Sequence, residues 1–382
     1  MNEGSPIRLF ADAHVFDDGY EGTRSFLLGM YTELAQLEGV QVFLGARNCT
    51  RLRDAFAPVA DRIQFIPYAT SSRYGRLFWE LPHLLQKHDI DYAHFQYVAP
   101  PRKVCAYIVT THDVLFEDMP GLFPYFYRKL RHNWFRHSAL RADVLTTVSE
   151  YAATSIAAHF GIAKHRIAIV PNAVAVQPTD GKLQQAARHR LRERYGVDRY
   201  VLCVSRMEPR KNQEQLLEAF RELELAAKGY QLVLIGRRSM GVPLLDAALT
   251  RLQPHERAAV WLLNDVPDVE LLDWYRGCRL FVYPSLGEGF GIPPLEAAMA
   301  RVPVLCSNLT AMADFHFFGN DLVDVTHRSA FITKLCELLT NPPGHDVLEE
   351  RARIIAERYS WQWSAKALLS RIHDHQLQAI SR

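Results

Sequence analysis

Ser285-Leu286-Gly287-Glu288-Gly289-Phe290-Gly291-Ile292-Pro293-Pro294-Leu295-Glu296 follows the apolar run Arg279 to Tyr283 and changes its chemistry abruptly. Glycine at 287, 289 and 291 lets the backbone turn sharply and lie close to a ligand. Pro293 and Pro294 suit the first turn of a helix, where their missing N–H groups are not needed. A strand, a glycine loop and a helix start, in that order, make one βα unit of a parallel sheet. The helix N-terminus then points at a phosphate or a polar sugar beyond the strand's carboxyl end. Glu288 in the loop and Glu296 in the opening turns bracket that position. Carboxylates beside glycines suit hydroxyl groups, although either glutamate alone reads as well as a solvated or helix-favouring acid.

The same alternation of short apolar runs and longer helical segments extends along the chain, as parallel βαβ units require. Runs at Ile7–Ala11, Val40–Leu44, Ile63–Ile66, Tyr92–Phe95, Cys105–Thr110, Val144–Val148 and Ile167–Val170 fill a first half. Runs at Tyr200–Val204, Gln231–Ile235, Ala259–Leu263, Arg279–Tyr283 and Val302–Cys306 fill a second. Between them, Gln177–Lys182 with Pro178, Asp180 and Gly181 reads as a linker. Ser360 is an N-cap for a tail helix running to about Gln378. The expected fold class is α/β: two Rossmann-like, doubly wound parallel-sheet domains, residues 1–177 and 178–360. The terminal helix, about 361–382, is expected to pack back on the first.

Size and composition agree. A chain of 382 residues exceeds what one core usually supports. Hydrophobic residues at 48% and charged residues at 23% exclude a disordered or fibrous chain. A formal net charge of +2 is too small for a surface that tracks nucleic acid, so any anion site is local. Cys49, Cys105, Cys203, Cys278, Cys306 and Cys336 show no close pair and read as free thiols of a reducing compartment. No signal-peptide or membrane-spanning run is read, which leaves a cytoplasmic protein as the expectation.

Two further constellations lie just past strand ends. Val204-Ser205-Arg206-Met207-Glu208-Pro209-Arg210-Lys211-Asn212 places Arg206 and Lys211 where a diphosphate would be matched by an Arg fork and a Lys ammonium. Asn212 is expected to cap the next helix, with Gln215 as its partner. Arg210 has no assigned part. The competing reading is a solvated basic turn. Thr110-Thr111-His112-Asp113 puts a histidine past the fifth strand, able to hydrogen-bond a sugar hydroxyl; taken bare, a structural histidine is the simpler reading.

Taken together, these stretches resemble family 4 of the retaining glycosyltransferases, whose hallmark is two glutamates separated by seven residues, as Glu288 and Glu296 are. The resemblance is clearest from about residue 105 to 300, and Val109 to Phe116 is similar to bacterial polysaccharide mannosyl- and glucosyltransferases. It implies the GT-B architecture, two domains facing a cleft, and retaining, metal-independent transfer of a hexose. The donor would be a nucleotide diphosphate sugar such as GDP-mannose, and the acceptor a saccharide or lipid-linked carrier in surface polysaccharide or lipopolysaccharide synthesis. It further implies that His112, Glu288, Arg206 and Lys211 serve catalysis, and that Gly289, Phe290, Gly291, Ile292, Glu296 and Val266 join them in donor binding. Gly22, Thr23, Asp113, Ser149 and Asn172 would line the acceptor side or cleft. The family often has adjacent glycines after its first strand, where this chain has Gly19 and Gly22-Thr23.

Asp89-Ile90-Asp91 spells the Asp-x-Asp of metal-dependent transferases but sits at a strand entrance, so no metal and no other cofactor is expected. Aromatic and basic residues interleave through 123–141, the pattern of a helix on an anionic membrane surface or of one with an aromatic core face. A nucleotide-sugar epimerase of the same architecture and a non-catalytic sugar-binding module are the alternative functions. A glycoside hydrolase needs its two acids to flank one bond and has no use for the adjacent cations.

Overall fold

The computed structural model describes residues 5–17, 22–174 and 176–380. Gly19 lies outside them. The chain divides into two compact units, Met1–Ala173 with Tyr359–Arg382, and Val174–Arg358.

The first unit is built on β1 (Ile7–Asp12), β2 (Val40–Ala46), β3 (Ile63–Pro67), β4 (Tyr92–Gln96), β5 (Ala106–Thr110), β6 (Val144–Thr147) and β7 (Ile167–Ile169). They pair in the order β3-β2-β1-β4-β5-β6-β7. Every ladder between them is parallel. The central strands are buried on both faces, which is why their sequences are near-continuous apolar runs instead of alternating ones. Phe10, Phe43, Phe95, Tyr107, Val109 and Ile156 form the core.

The second unit repeats the plan with β8 (Tyr200–Val204), β9 (Gln231–Ile235), β10 (Val260–Leu263), β11 (Leu280–Tyr283), β12 (Val304–Ser307) and β13 (Leu322–Val323). The order is β10-β9-β8-β11-β12-β13. The two-residue edge strand β13 had no sequence counterpart, being too short to show a period. Val201, Leu216, Leu232, Val282, Leu305 and Phe331 lie in its core.

Helix ends follow local chemistry. The Asp180 side chain accepts from Leu183 N at 2.8 Å and starts Gly181–Tyr195; Ser149 accepts from Ala152 N at 3.0 Å and starts Glu150–Phe160. The tail helix Trp361–Ile380 packs on the helix Gly22–Leu34 of the first unit. Trp361 meets Phe26 edge-on at 5.8 Å between centroids, and Ser364 Oγ donates to Pro171 O at 2.8 Å. No helix among the described residues is long and apolar enough to cross a membrane.

Candidate functional site

In the second unit the loops after β8 and β11 converge on a buried cluster of charges. Glu288 and Lys211 are only 7% and 6% exposed. Lys211 Nζ donates to Glu288 Oε1 at 2.5 Å and to the Tyr283 hydroxyl at 2.9 Å. That oxygen also accepts from Ser285 Oγ at 2.6 Å and from Tyr283 OH at 3.1 Å. Glu288 Oε2 accepts from Arg210 Nη1 at 3.0 Å, which leaves Oε2 as the carboxylate oxygen with capacity for a further donor. Burial pushes the Glu288 carboxyl up, but the charges of Lys211 and Arg210 outweigh it and hold the group down at about 2. Burial likewise pulls Lys211 below the usual lysine range, with Glu288 opposing it.

Arg210, which the sequence reading left without a part, is central here. Its Nε donates to Glu208 Oε2 at 2.9 Å and its Nη1 to the Gly287 carbonyl at 2.7 Å, so it ties the two loops together. The 3₁₀ turn Pro209–Lys211 rotates it inward. Arg206, the predicted partner of Lys211, has a side chain 51% exposed, with its Nη1 3.9 Å from buried Glu208. It stands at the rim of the cluster.

Asn212 does not cap its helix as expected. Its backbone is left-handed at φ 57°, so the side chain swings away from the helix Gln213–Glu222 and donates instead to Gln215 Oε1 and to the Pro284 carbonyl at 3.2 Å. It thus joins the β8 loop to the β11 loop.

The glycine loop ends at Gly291, with φ 102°, a conformation that residues with side chains rarely adopt, and the helix Ile292–Met299 begins there with Pro293 and Pro294 in its first turn. Glu296 is partly buried and accepts from Tyr275 OH at 2.7 Å, and burial raises its carboxyl pKa. Val266 follows β10 and is partly exposed. Gly236, after β9, was not singled out from sequence: its φ is 148°, and a Cβ there would collide with the Ser205 carbonyl that leads into the Arg206–Lys211 loop.

In the first unit, His112 lies just past β5 and is 9% exposed. Its Nε2 is 2.7 Å from Gln96 Oε1, and Gln96 Nε2 is 3.2 Å from His94 Nε2. His94 Nε2 is also 2.7 Å from Thr110 Oγ1, and its Nδ1 is 2.8 Å from Tyr31 OH. With Gln96 Oε1 as acceptor, His112 carries its proton on Nε2 and presents Nδ1 as the lone-pair nitrogen; His94 carries its proton on Nδ1. Burial pulls His112 down to about 4 and His94 down to about 3, so both rings are neutral near pH 7. Phe26 stands edge-on to His112 at 4.9 Å.

Of the remaining first-unit candidates, Ser149 and Asp113 have local partners. Ser149 is a helix cap, as above, and Asp113 Oδ1 accepts from Leu115 N at 3.1 Å. Asn172 is partly buried near Pro171. Gly22 and Thr23 open the helix Gly22–Leu34, and Gly22 is exposed. The Asp91 carboxylate, just before β4, accepts from Arg8 N at 2.8 Å and ties that strand's entrance to β1. Asp12, at the end of β1, was missed: buried, it accepts from Tyr68 OH at 3.0 Å with Arg76 Nε 3.6 Å away, and despite its burial His14 and Arg76 hold its carboxyl well below the usual range.

Residues 20–177 match Glycosyltransferase Family 4 and residues 187–361 match Glycosyl transferases group 1. The O-antigen chain mannosyltransferase B of Escherichia coli is 27% identical over 279 residues, 71% of this chain and 72% of that protein. The GDP-mannose-dependent alpha-(1-6)-phosphatidylinositol monomannoside mannosyltransferase of Mycolicibacterium smegmatis is 30% identical over 59% of this chain and 60% of its own length. Longer serotype-specific mannosyltransferases of E. coli are spanned over 27% of their length or less. In three dimensions a glycosyltransferase of Rickettsia africae superposes with a TM-score of 0.71 at 13% identity, over 98% of this chain and 99% of that one. The chain is therefore an enzyme of the family 4 glycosyltransferases and has their GT-B fold.

Proposed function

We propose that this enzyme transfers a hexose, mannose foremost, from a nucleotide diphosphate sugar to a saccharide or lipid-linked acceptor, with retention of anomeric configuration, in bacterial surface polysaccharide synthesis. The observation that carries the donor half of this reading is the buried Lys211–Glu288–Arg210 cluster beside the helix start at Gly291. A departing nucleoside diphosphate needs positive charge on its phosphates more than it needs a general acid. Lys211, Arg206 at the rim and the amides of Gly289 to Gly291 would supply it, with Arg210 holding the loops in register. Glu288 would meet the donor sugar through Oε2, and Glu296 the ribose. His112 would accept a hydrogen bond from a sugar hydroxyl through Nδ1 and stabilise positive character on the transferring sugar. With cations already in place, the reaction is proposed to need no metal. The mannose assignment rests on the names of the two relatives, one of which also names GDP-mannose.

Titration calorimetry with GDP, UDP and dTDP tests the donor site. One diphosphate should bind preferentially without added metal, in the presence of EDTA as well, and Arg206→Ala combined with Lys211→Ala should abolish that preference. No binding of any of the three by folded protein would overturn the reading.

We further propose that the enzyme reaches its acceptor by associating peripherally with the inner face of the cytoplasmic membrane. Phe126 is 85% and Trp79 72% exposed, and Phe78 meets Trp134 at 6.2 Å, which packs the segment that carries Trp79 against the helix Tyr125–Arg141. The helix Tyr125–Arg141 carries Arg128, Lys129, Arg131, Arg136 and Arg141, and no acid lies between Asp118 and Asp143. Its second half buries Phe135, so the free aromatic face is confined to the first turns. Anionic vesicles should float the protein, and Phe126→Ser with Trp79→Ser should release it. Equal flotation with neutral vesicles would count against a charged lipid surface.

A further inference from the structure

At the amino edge of the second sheet, opposite the loops described above, lies a cavity of about 450 Å³. Arg199 immediately precedes β8, Arg279 immediately precedes β11, and Arg301 precedes β12; Arg188, from the helix Gly181–Tyr195, completes the set. The strands between this edge and the Lys211–Glu288 cluster are about five residues long, so the two places are roughly 17 Å apart.

The charge balance of this cavity is unusual. Its walls hold four arginines and no acidic side chain. Of the four, Arg301 has a carboxylate partner among the described residues, Glu349 at 3.0 Å, and its Nε is buried with no hydrogen-bond partner among them. Arg199 lies over the Tyr230 ring at 4.0 Å and donates to the Tyr230 hydroxyl at 2.7 Å, which orients the guanidinium without neutralising it. Arg188 donates to the Gly277 carbonyl at 3.4 Å. Like charges gathered in a concave site repel unless an anion joins them, and guanidinium forks match phosphate oxygens two at a time.

We propose that this cavity is a second anion site, for the di- or triphosphate group of a small soluble molecule, separate from the donor site. Its volume suits such a ligand. Its concavity and its Leu339, Pro342 and Pro343 wall favour a compact ligand over a nucleic-acid backbone, which tracks an open basic surface. The site does not depend on the donor reading.

Inorganic pyrophosphate and ADP, titrated separately into the full chain, test it. Lys211→Ala should keep a salt-sensitive binding event that Arg199→Gln combined with Arg279→Gln weakens at least tenfold. Both arginines are exposed, so the double variant should unfold at the wild-type temperature. Pyrophosphate should also protect these arginines from phenylglyoxal, read by mass spectrometry. ADP binding tighter than pyrophosphate would assign the apolar wall to a base, and equal binding would assign the site to the phosphates alone; either supports the proposal. Unchanged binding in the double variant, or none in Lys211→Ala, would overturn it.

Discussion

Around the ends of β4 and β5, His94 and His112 are buried as neutral rings in a chain of hydrogen bonds; around the ends of β8 and β11, Lys211 and Glu288 are buried as ions. The two sheets share a strand order, and both sites lie beyond the carboxyl ends of central strands. They therefore meet the same cost, polar groups taken out of water, by different means. One gives up its charge through a lowered pKa, and the other keeps its charge and pairs it. On the proposed reading the neutral chain would meet an uncharged sugar, and the cations of the ionic cluster, with Arg206 at its rim, would meet the diphosphate.

The largest effect should come from breaking the ionic pair. Glu288→Ala leaves Lys211 and Arg210 buried without their carboxylate, a loss of about 3–5 kcal/mol by the usual cost of an orphaned buried charge. Lys211→Ala should lower transfer about 10²–10³-fold, as removal of one charge-stabilising donor does elsewhere. Lys211→Arg should restore little, since a fork cannot meet Glu288 and Tyr283 as a point charge does. Chemical denaturation and kcat on the same variants check this, and an unchanged midpoint for Glu288→Ala would show that the pair is not buried in solution.

Acid separates the two regions next. A histidine held at about 4 against an ordinary 6.5 binds its proton more readily unfolded than folded. The stability it contributes is full above pH 6.5 and is lost as pH falls to about 4, on the order of 3 kcal/mol for His112. Glu288, at about 2 against 4.5, gives up its share only between pH 4.5 and 2. The first unit should therefore weaken before the second, which hydrogen exchange across a pH series would show. His112→Asn should reduce the slope between pH 6.5 and 4 to the part that His94, held at about 3, contributes, and leave the lower limb in place. A parallel loss in both units from pH 6.5 would break the contrast.

How much of this the sequence carried follows from the range of the forces involved. The positions of the glycine loop, Glu288, Glu296, Lys211 and His112 past strand ends were readable because each sits a fixed few residues past an apolar run, and strand ends are where an open sheet puts its ligands. Arg210 and Arg206 were not separable: they lie four residues apart in one basic turn, and only the 3₁₀ geometry of Pro209–Lys211 decides which points inward. Asn212 has the composition of a cap but a left-handed backbone, which no local pattern announces. Gln96 and His94 gain meaning only through pairing of Gln96 with Thr110 across β4 and β5, a contact set by the sheet's register.

The smallest effect concerns the strand that flanks the first strand of each sheet. In β2, a Cβ at Gly45 would meet the ring and hydroxyl of Tyr68; just after β9, a Cβ at Gly236 would meet the carbonyl of Ser205. A ring can turn aside, at the cost of the Tyr68 bond to Asp12, about 1 kcal/mol. A backbone carbonyl cannot, and Gly236 also has a φ of 148° that alanine rarely adopts. Gly236→Ala should therefore cost about 2–3 kcal/mol and Gly45→Ala about half that. Because Ser205 leads into Arg206 and Lys211, Gly236→Ala should also weaken diphosphate binding, whereas Gly45→Ala should leave it unchanged. Calorimetry on both variants decides: equal binding by the two would mean that the Arg206–Lys211 loop is held by Arg210 and Asn212 alone, with no contribution from the close approach of β9.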